Sequence, residues 1–299
     1  LGTISENGTV GLFGEITTHK EDTTLYYGAV YNLIIKDASI NINNSTLETV
    51  SAGIVAGVNN GIILNVAVKY TNILANCTAN KLNIGSFAGQ NNGVILNYGV
   101  ELNYTDDENR NEKYFSGGST AIYSQVVNGN FRSNAIVGSA IALNYSNGSS
   151  IVISSEQESY VGGIVGVNRG VIDGYYGLQT KGSGNVNYVI YNQKDVDAYV
   201  NINTQGGSLL NENSAVGGVA GVNYGRILNF AIEGNIGAYD RENSKAQSYT
   251  LNNVGGVAGA NYNTSITEYG VIDNILTSVK VAGKKNVVRS VCQRRKTIF

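Results

Sequence analysis

Branched apolar residues alternate with small or polar ones in short runs, and the runs come in pairs split by an Asn-x-Gly. In "VGGVAGVNYGRILNFAI", residues 216–232, both "GGVAGV" and "RILNFAI" place apolar side chains at alternate positions, the period of a strand with one buried face. The break at Asn223–Gly225 supplies residues that tolerate left-handed backbone, so it predicts a corner. The phrase recurs as "AGIVAGVNNGIILNVAV" from Ala52, "GSFAGQNNGVILNYGV" from Gly85 and "VGGIVGVNRGVIDGYYG" from Val161. Two copies are split by insertions: "VGLFG" at Val10 resumes as "GAVYNLII" at Gly28, and "VGGVAGANY" at Val254 resumes as "GVIDNILTSV" at Gly270. A degenerate copy reads "SGGSTAI" at Ser116, then "GNFRSNAIV" at Gly129.

The last glycine of each clear first half gives anchors at Gly14, Gly57, Gly89, Gly166, Gly221 and Gly259, with steps of 43, 32, 77, 55 and 38 residues. The degenerate copy falls inside the step of 77, which therefore reads as two steps. A fixed phrase at a wandering period means constant rungs joined through variable loops. The expected fold is all-β: a right-handed parallel β-solenoid or β-helix-like array of about seven irregular coils, with long loop insertions at 17–27, 104–115, 177–198 and 234–249. Each rung would lay its Val, Ile and Leu on the next, about 4.8 Å away, with Val165, Ile172, Val219 and Ile227 inward. The anchor glycines fit where one wall closes on another. Asn59, Gly61, Asn91, Gly93, Asn168, Gly170, Asn223 and Gly225 would turn the corners, where stacked asparagines can hydrogen-bond along the axis. Helical repeats fit poorly, because each glycine costs about 1 kcal/mol inside a helix.

The phrase Gly-Gly-[Val/Ile]-[Ala/Val]-Gly-x-Asn-x-Gly-x-Ile-x-Asn resembles the GLUG repeat of secreted and surface-anchored proteins, among them large bacterial adhesin-like proteins and some IgA-peptidase precursors. Four copies match well and three in part, and with their loops they cover nearly the whole chain. The resemblance implies an extracellular β-rich repeat that serves as stalk, spacer or adhesive surface, and it transfers no catalytic residues. The long polar insertions and the 20 tyrosines depart from it.

Composition sharpens this picture. The chain has 299 residues, 42% of them hydrophobic, enough for a core, and only 14% charged. Proline is absent, so no ladder donor is lost anywhere. Methionine is absent too, as in a processed product, a fragment or a sequence not taken from a full open reading frame. No apolar run approaches the ~18 residues of a membrane span. From Lys280 onward there are seven Lys or Arg and no acid, leaving 13 basic against 22 acidic residues in the rest. We therefore divide the chain into a solenoid, 1–279, and a basic segment, 280–299, read as a strand-like tail, an inter-subunit contact, a contact with an anionic surface, a solvated end or a wrongly assigned segment. An acidic body whose aromatics do not interleave with its basic residues gives no reason to expect nucleic acid as a partner.

Candidate chemistry is sparse. The glycines recur and no lysine follows them, unlike a dinucleotide fingerprint or a P-loop, so no cofactor is expected. His19 is the one histidine and lies in a polar insertion, and no H-E-x-x-H occurs. Cys77 and Cys292 make neither a disulfide framework nor a zinc set. Whether they pair stays open. Asp173 and Asp273 share a repeat position that is leucine in other copies, about two coils or roughly 10 Å apart with Leu228 between. They read as a calcium site, a glycosidase pair or solvated corners. Eight sequons, at Asn7, Asn43, Asn44, Asn76, Asn103, Asn144, Asn147 and Asn263, are candidate glycosylation sites. Strand-prone sequence at both ends predicts uncapped edges.

The resulting expectation is a non-enzymatic extracellular or cell-surface protein, structural or adhesive. It would be the subunit of a surface filament or fibre, or one section of a longer chain. The alternative is a carbohydrate-active or glycan-binding β-helix. A third reading is adhesion through exposed tyrosines, Tyr26–Tyr27 and Tyr175–Tyr176 among them.

Overall fold

The computed structural model describes residues 8–43, 47–69, 71–76, 81–96, 99–105, 111–117, 139–140, 151–154, 158–174, 179–182, 185–188, 198–203, 211–236, 239–240, 245–246, 252–263, 270–283 and 285–288. The regular structure described is all strand. No helix among these residues is long and apolar enough to cross a membrane.

Strands that precede each glycine turn stack in parallel into one sheet, in the order Thr9–Val10, Thr49–Ala52, Lys81–Gly85, Glu158–Gly162, Ala215–Gly217, Asn252–Gly255 and Lys285–Val288. Strands that follow the turn make a second: Phe13–Ile16, Ala56–Asn59, Ala88–Asn91, Val165–Asn168, Ala220–Asn223 and Ala258–Asn261. The third sheet carries the second halves of the phrase, Ala29–Lys36, Ile62–Lys69, Val94–Leu96, Val171–Asp173, Arg226–Ile236 and Val271–Val281, with further strands beside them. Each repeat pairs in parallel with the repeats on either side: Ala88 faces Ala56 and Val165, and Ile95 faces Ile63 and Ile172. The chain is thus a parallel β-solenoid with three stacked sheets. At about 4.8 Å per rung, its first and sixth rungs lie about 24 Å apart.

The 77-residue step is one rung rather than two. Lys81–Gly85 pairs directly with Glu158–Gly162. Ser116 and Gly117 of the degenerate copy lie in Asn111–Gly117, antiparallel to Gly99–Thr105, and residues 118–138 lie outside the described residues. That copy has no Asn-x-Gly with which to join the stacked corners. The expectation of about seven coils still holds, but the seventh strand of the first sheet is Lys285–Val288.

The strands described between Leu96 and Glu158 belong to one rung. Ser139–Ala140 returns to pair with Val68–Lys69, Ala140 faces Tyr199, and Ala198–Ile202 lies along Ile232–Ile236. These returning strands complete the third sheet beside Val94–Leu96 and Val171–Asp173, which are only three residues long. Hairpins mark all four expected insertions: Thr18–Glu21 with Thr24–Tyr27, Gly99–Thr105 with Asn111–Gly117, Gln179–Gly182 with Asn185–Tyr188, and Tyr239–Asp240 with Lys245–Ala246. The second reaches beyond 104–115 at both ends, and residues 234–236 still belong to the strand Arg226–Ile236.

Apolar columns run along the axis inside the stack. Ala52, Ile84, Val161, Val216 and Val254 follow one another in register and are all fully buried. Val165, Ile172, Val219 and Ile227 point inward as expected. Each anchor glycine closes the second sheet against the first. A Cβ on Gly89, Gly166, Gly221 or Gly259 would lie within 2.5 Å of the backbone nitrogen of Ala52, Ile84, Val161 or Val216 in the preceding rung, and one on Gly57 would meet Val10 N at 2.7 Å. Gly14, in the first rung, has only Thr9 Oγ1 nearby, at 3.2 Å.

The ends differ from each other. The boundary drawn at 279/280 falls inside Val271–Val281, and Lys285–Val288 pairs with Asn252–Gly255. Lys285–Val288 thus adds a seventh strand to the first sheet and is its outermost described strand at that end. Val287 is in register with Val254 there. Residues 289–299 lie outside the described residues.

Candidate functional site

The corner asparagines Asn59, Asn91, Asn168 and Asn223 are fully buried and bond to one another along the axis. Asn59 Nδ2 donates to Asn91 Oδ1 (2.7 Å), Asn91 to Asn168 (2.9 Å), Asn168 to Asn223 (2.7 Å) and Asn223 to Asn261 (2.7 Å). The second amide hydrogen of each reaches a backbone carbonyl of the neighbouring corner, such as Arg226 O from Asn168 at 3.2 Å. Asn261 turns its amide back to Gly270 O at 2.8 Å. At the first rung Ile16 holds the equivalent place and ends the ladder, facing Asn59 in register. Buried amides cost several kcal/mol without partners, so this column is stable only because the rungs supply them.

The corner glycines serve a different purpose from the one expected. None of Gly61, Gly93, Gly170 and Gly225 is among the residues with positive φ, nor are Asn59, Asn91, Asn168 and Asn223. Instead, a Cβ on Gly61, Gly93, Gly170 or Gly225 would lie about 2 Å from the carbonyl oxygen of Gly28, Gly61, Gly93 or Gly170. Each of those oxygens accepts from the residue just past the next corner, as Gly93 O does from Val171 N at 3.0 Å. Close axial approach, not chirality, selects glycine. Left-handed backbone appears one turn later, at Asn32, Asn229 and Asn274 (φ 53°, 48° and 54°).

The residue between Asn and Gly points outward and forms a second column. Its first half is polar: Asn60 Nδ2 donates to Glu15 Oε1 (2.5 Å), Asn92 Nδ2 to Asn60 Oδ1 (2.7 Å), and Gln90 Nε2 to Asn92 Oδ1 (2.9 Å). Its second half is cationic and aromatic. The Arg169 guanidinium lies 4.6 Å from the Tyr224 ring centre, and Tyr224 stacks on Tyr262 at 5.5 Å and 30°. Beside it, Tyr160, Val167, Ala215 and Val222 form a small apolar cluster that Tyr224 and Ala260 pack against. Lys81 Nζ bonds Glu158 Oε1 at 2.7 Å and sits 4.6 Å from the Tyr160 ring centre. Burial pushes the Glu158 carboxyl up, but hydrogen bonds from Lys81 and Tyr160 outweigh it and hold the group below its ordinary value. Burial first, then the Glu158 carboxylate, pushes the Tyr160 phenol up.

Asp173 and Asp273 share one column with Leu228 between them. The structure therefore keeps them two rungs apart. Asp173 is half-buried, and Asn229 Nδ2 donates to its Oδ1 at 2.8 Å, while Asn274 Nδ2 donates to Asn229 Oδ1 at 2.7 Å. Burial raises the Asp173 carboxyl, partly offset by Asn229 and by Arg226. Asp273 is exposed. No group of three His, Cys, Asp or Glu side chains that could hold a metal occurs among the described residues.

His19 stacks on Tyr26 in the first hairpin at 6.5 Å, and Tyr26 and Tyr27 are exposed. Tyr175–Tyr176, Cys77 and Cys292 lie outside the described residues, as do Asn7, Asn44, Asn144 and Asn147. Asn43 and Asn76 face each other in neighbouring strands, Asn103 is in a hairpin strand, and Asn263 is exposed. Sequence reasoning missed the outward column. Aligning the middle residue of each Asn-x-Gly would have found Asn60, Asn92, Arg169 and Tyr224 at once.

Compared with protein-family models, curated proteins and solved structures, the chain matches none. The resemblance to GLUG repeats thus rests on the phrase itself.

Proposed function

We propose that this chain is a structural, non-catalytic β-solenoid of the cell exterior, the subunit or one section of a surface filament or fibre, with hairpins and corner side chains facing outward as an adhesive surface. One observation carries the reading. The repeated positions of the phrase are used for contact between rungs: asparagine on asparagine, glycine over carbonyl, valine on valine. The ladder runs from Asn59 to Asn261 without a gap, which is the use a shaft makes of a repeated phrase. The resemblance to GLUG repeats supports an extracellular place. Negative-stain electron microscopy of the purified chain tests the assembly: rods or fibres are expected, and uniformly single particles at high concentration overturn it.

A second reading, a glycan-binding surface, is favoured by exposed Arg169 and Tyr262 in one cation–aromatic column with Tyr224. Sugars stack on aromatic faces and accept hydrogen bonds from guanidinium groups. Screening against polysaccharides, with Tyr262→Ala as control, decides it, and turnover abolished by Asp173→Asn would instead favour an enzyme.

A further inference from the structure

Among the described residues, the large exposed apolar side chains gather at the two ends of the solenoid. Leu12, Phe13, Leu25, Tyr26, Tyr27 and Tyr31 belong to the first rung and its hairpin, Tyr262 and Ile272 belong to the sixth, and of those described only Leu74 lies between. The end rungs also carry the outermost described strands of the second and third sheets: Phe13–Ile16 and Ala29–Lys36 at one end, Ala258–Asn261 and Val271–Val281 at the other. Rung-on-rung parallel pairing already occurs throughout the chain, so these two surfaces are complementary by translation.

We propose that a second copy of this chain adds head to tail, its first rung continuing the sixth rung in the register used within the chain; this rests on the fibre reading above and specifies its contact. The repeat columns fix which residues meet. Tyr31, Leu64, Leu96, Asp173, Leu228 and Asp273 occupy one column, so Tyr31 of the incoming copy takes the level beyond Asp273. Asn32 then follows Asn274, and both already have the same left-handed backbone, φ 53° and 54°. Phe13 covers Ala258, since Phe13, Ala56, Ala88, Val165, Ala220 and Ala258 share a column. The axial polarity of the asparagine bonds is kept, whereas joining like ends would reverse it. Because the two surfaces differ, the contact is heterologous and propagates without closing if no rotation intervenes.

On the first sheet, Lys285–Val288 already holds the level beyond Asn252–Gly255. The incoming Thr9–Val10 replaces it there. Val10 and Val287 belong to the same column, through Ala52, Ile84, Val161, Val216 and Val254, so the exchange puts one valine where another stood.

The test uses the full chain with Cys77→Ser and Cys292→Ser, carrying either Tyr31→Cys or Asp273→Cys. Neighbouring strands place these positions about 4.8 Å apart, within the ~4.4–6.8 Å that a disulfide spans. Under mild oxidation the two variants are expected to give a linked dimer when mixed and none when separate, and the chain carrying both gives a ladder of multimers. Amide exchange is expected to slow at 13–16 and 29–36 on assembly and to quicken at 285–288. Dimers from either variant alone would mean that like ends meet and would overturn the proposal. Fibres seen by microscopy without cross-links overturn this register and leave the fibre reading standing. Folded single particles without cross-links, the result expected if flanking rungs of a longer chain cover these ends, overturn this contact and the subunit form of the fibre reading, and leave the section of a longer chain. Unchanged protection at 285–288 in cross-linked multimers overturns the strand exchange.

Discussion

The side-chain amide of Asn91 donates to Asn168 across 2.9 Å, although 77 residues separate them in the chain. Between them the protein makes a full excursion and returns, and the rung closes as if nothing had intervened.

Removing Asn168 leaves the Asn91 amide without its acceptor and Asn223 Oδ1 without its donor, both inside the stack. Asn168→Ala is expected to cost about 2–6 kcal/mol, at roughly 1–3 kcal/mol for each of the two buried groups left unpaired. Asn261→Ala, at the exposed end of the ladder, costs less. Urea unfolding of the two variants checks the order, and equal losses would mean that the ladder is not cooperative along the axis.

Gly166→Ala drives a methyl to 2.5 Å from Ile84 N. The rungs must part, and a loss of about 3 kcal/mol or failure to fold is expected, at the upper end of overpacking costs. Gly14→Ala meets only the flexible Thr9 hydroxyl and is expected to stay within about 0.5 kcal/mol. Thermal melts compare them directly.

This pair also shows what the sequence could reveal. The anchor glycines, the inward Val and Ile and the asparagine ladder follow from a phrase repeated with fixed internal spacing, because each rung poses the same packing problem. The count of rungs between Gly89 and Gly166 did not follow, since spacing alone cannot separate an extra rung from a detour. Nor did the purpose of Gly61 or Gly170: a left-handed turn and a close axial contact both select glycine, and only the position of the neighbouring carbonyl distinguishes them. The Arg169–Tyr224–Tyr262 column was hidden because its members vary from copy to copy.

Glu158 gives the stability a pH dependence. Its carboxyl is held below the ordinary value by Lys81 and Tyr160, so its contribution is full above that ordinary value and is lost as pH falls through the folded one. Glu158→Gln should flatten this acid limb, by no more than about 1 kcal/mol for a partly exposed pair. Melting temperatures from pH 7 to pH 3 read it, and an unchanged limb refutes the assignment.

Asp173 has the opposite sign. Its carboxyl is raised, mainly by burial, so ionisation opposes folding, and the penalty shrinks as pH falls through the folded value and is gone below the ordinary one. Asp173→Asn keeps an acceptor for Asn229 and removes the charge. The variant is expected to melt higher than the parent at pH 7, with the gap closing toward pH 3. A gap that widens on acidification would contradict the burial account.

Because Ser139–Ala140 and Ala198–Ile202 rejoin the rungs that their excursions left, sequence length is a poor ruler for this molecule. The 32 residues from Gly57 to Gly89 and the 77 from Gly89 to Gly166 advance the axis by the same single step. Girth and height are set independently. Lineages of such a protein can enlarge, trade or discard what they show at the surface while the spacing of everything else along the shaft stays the same.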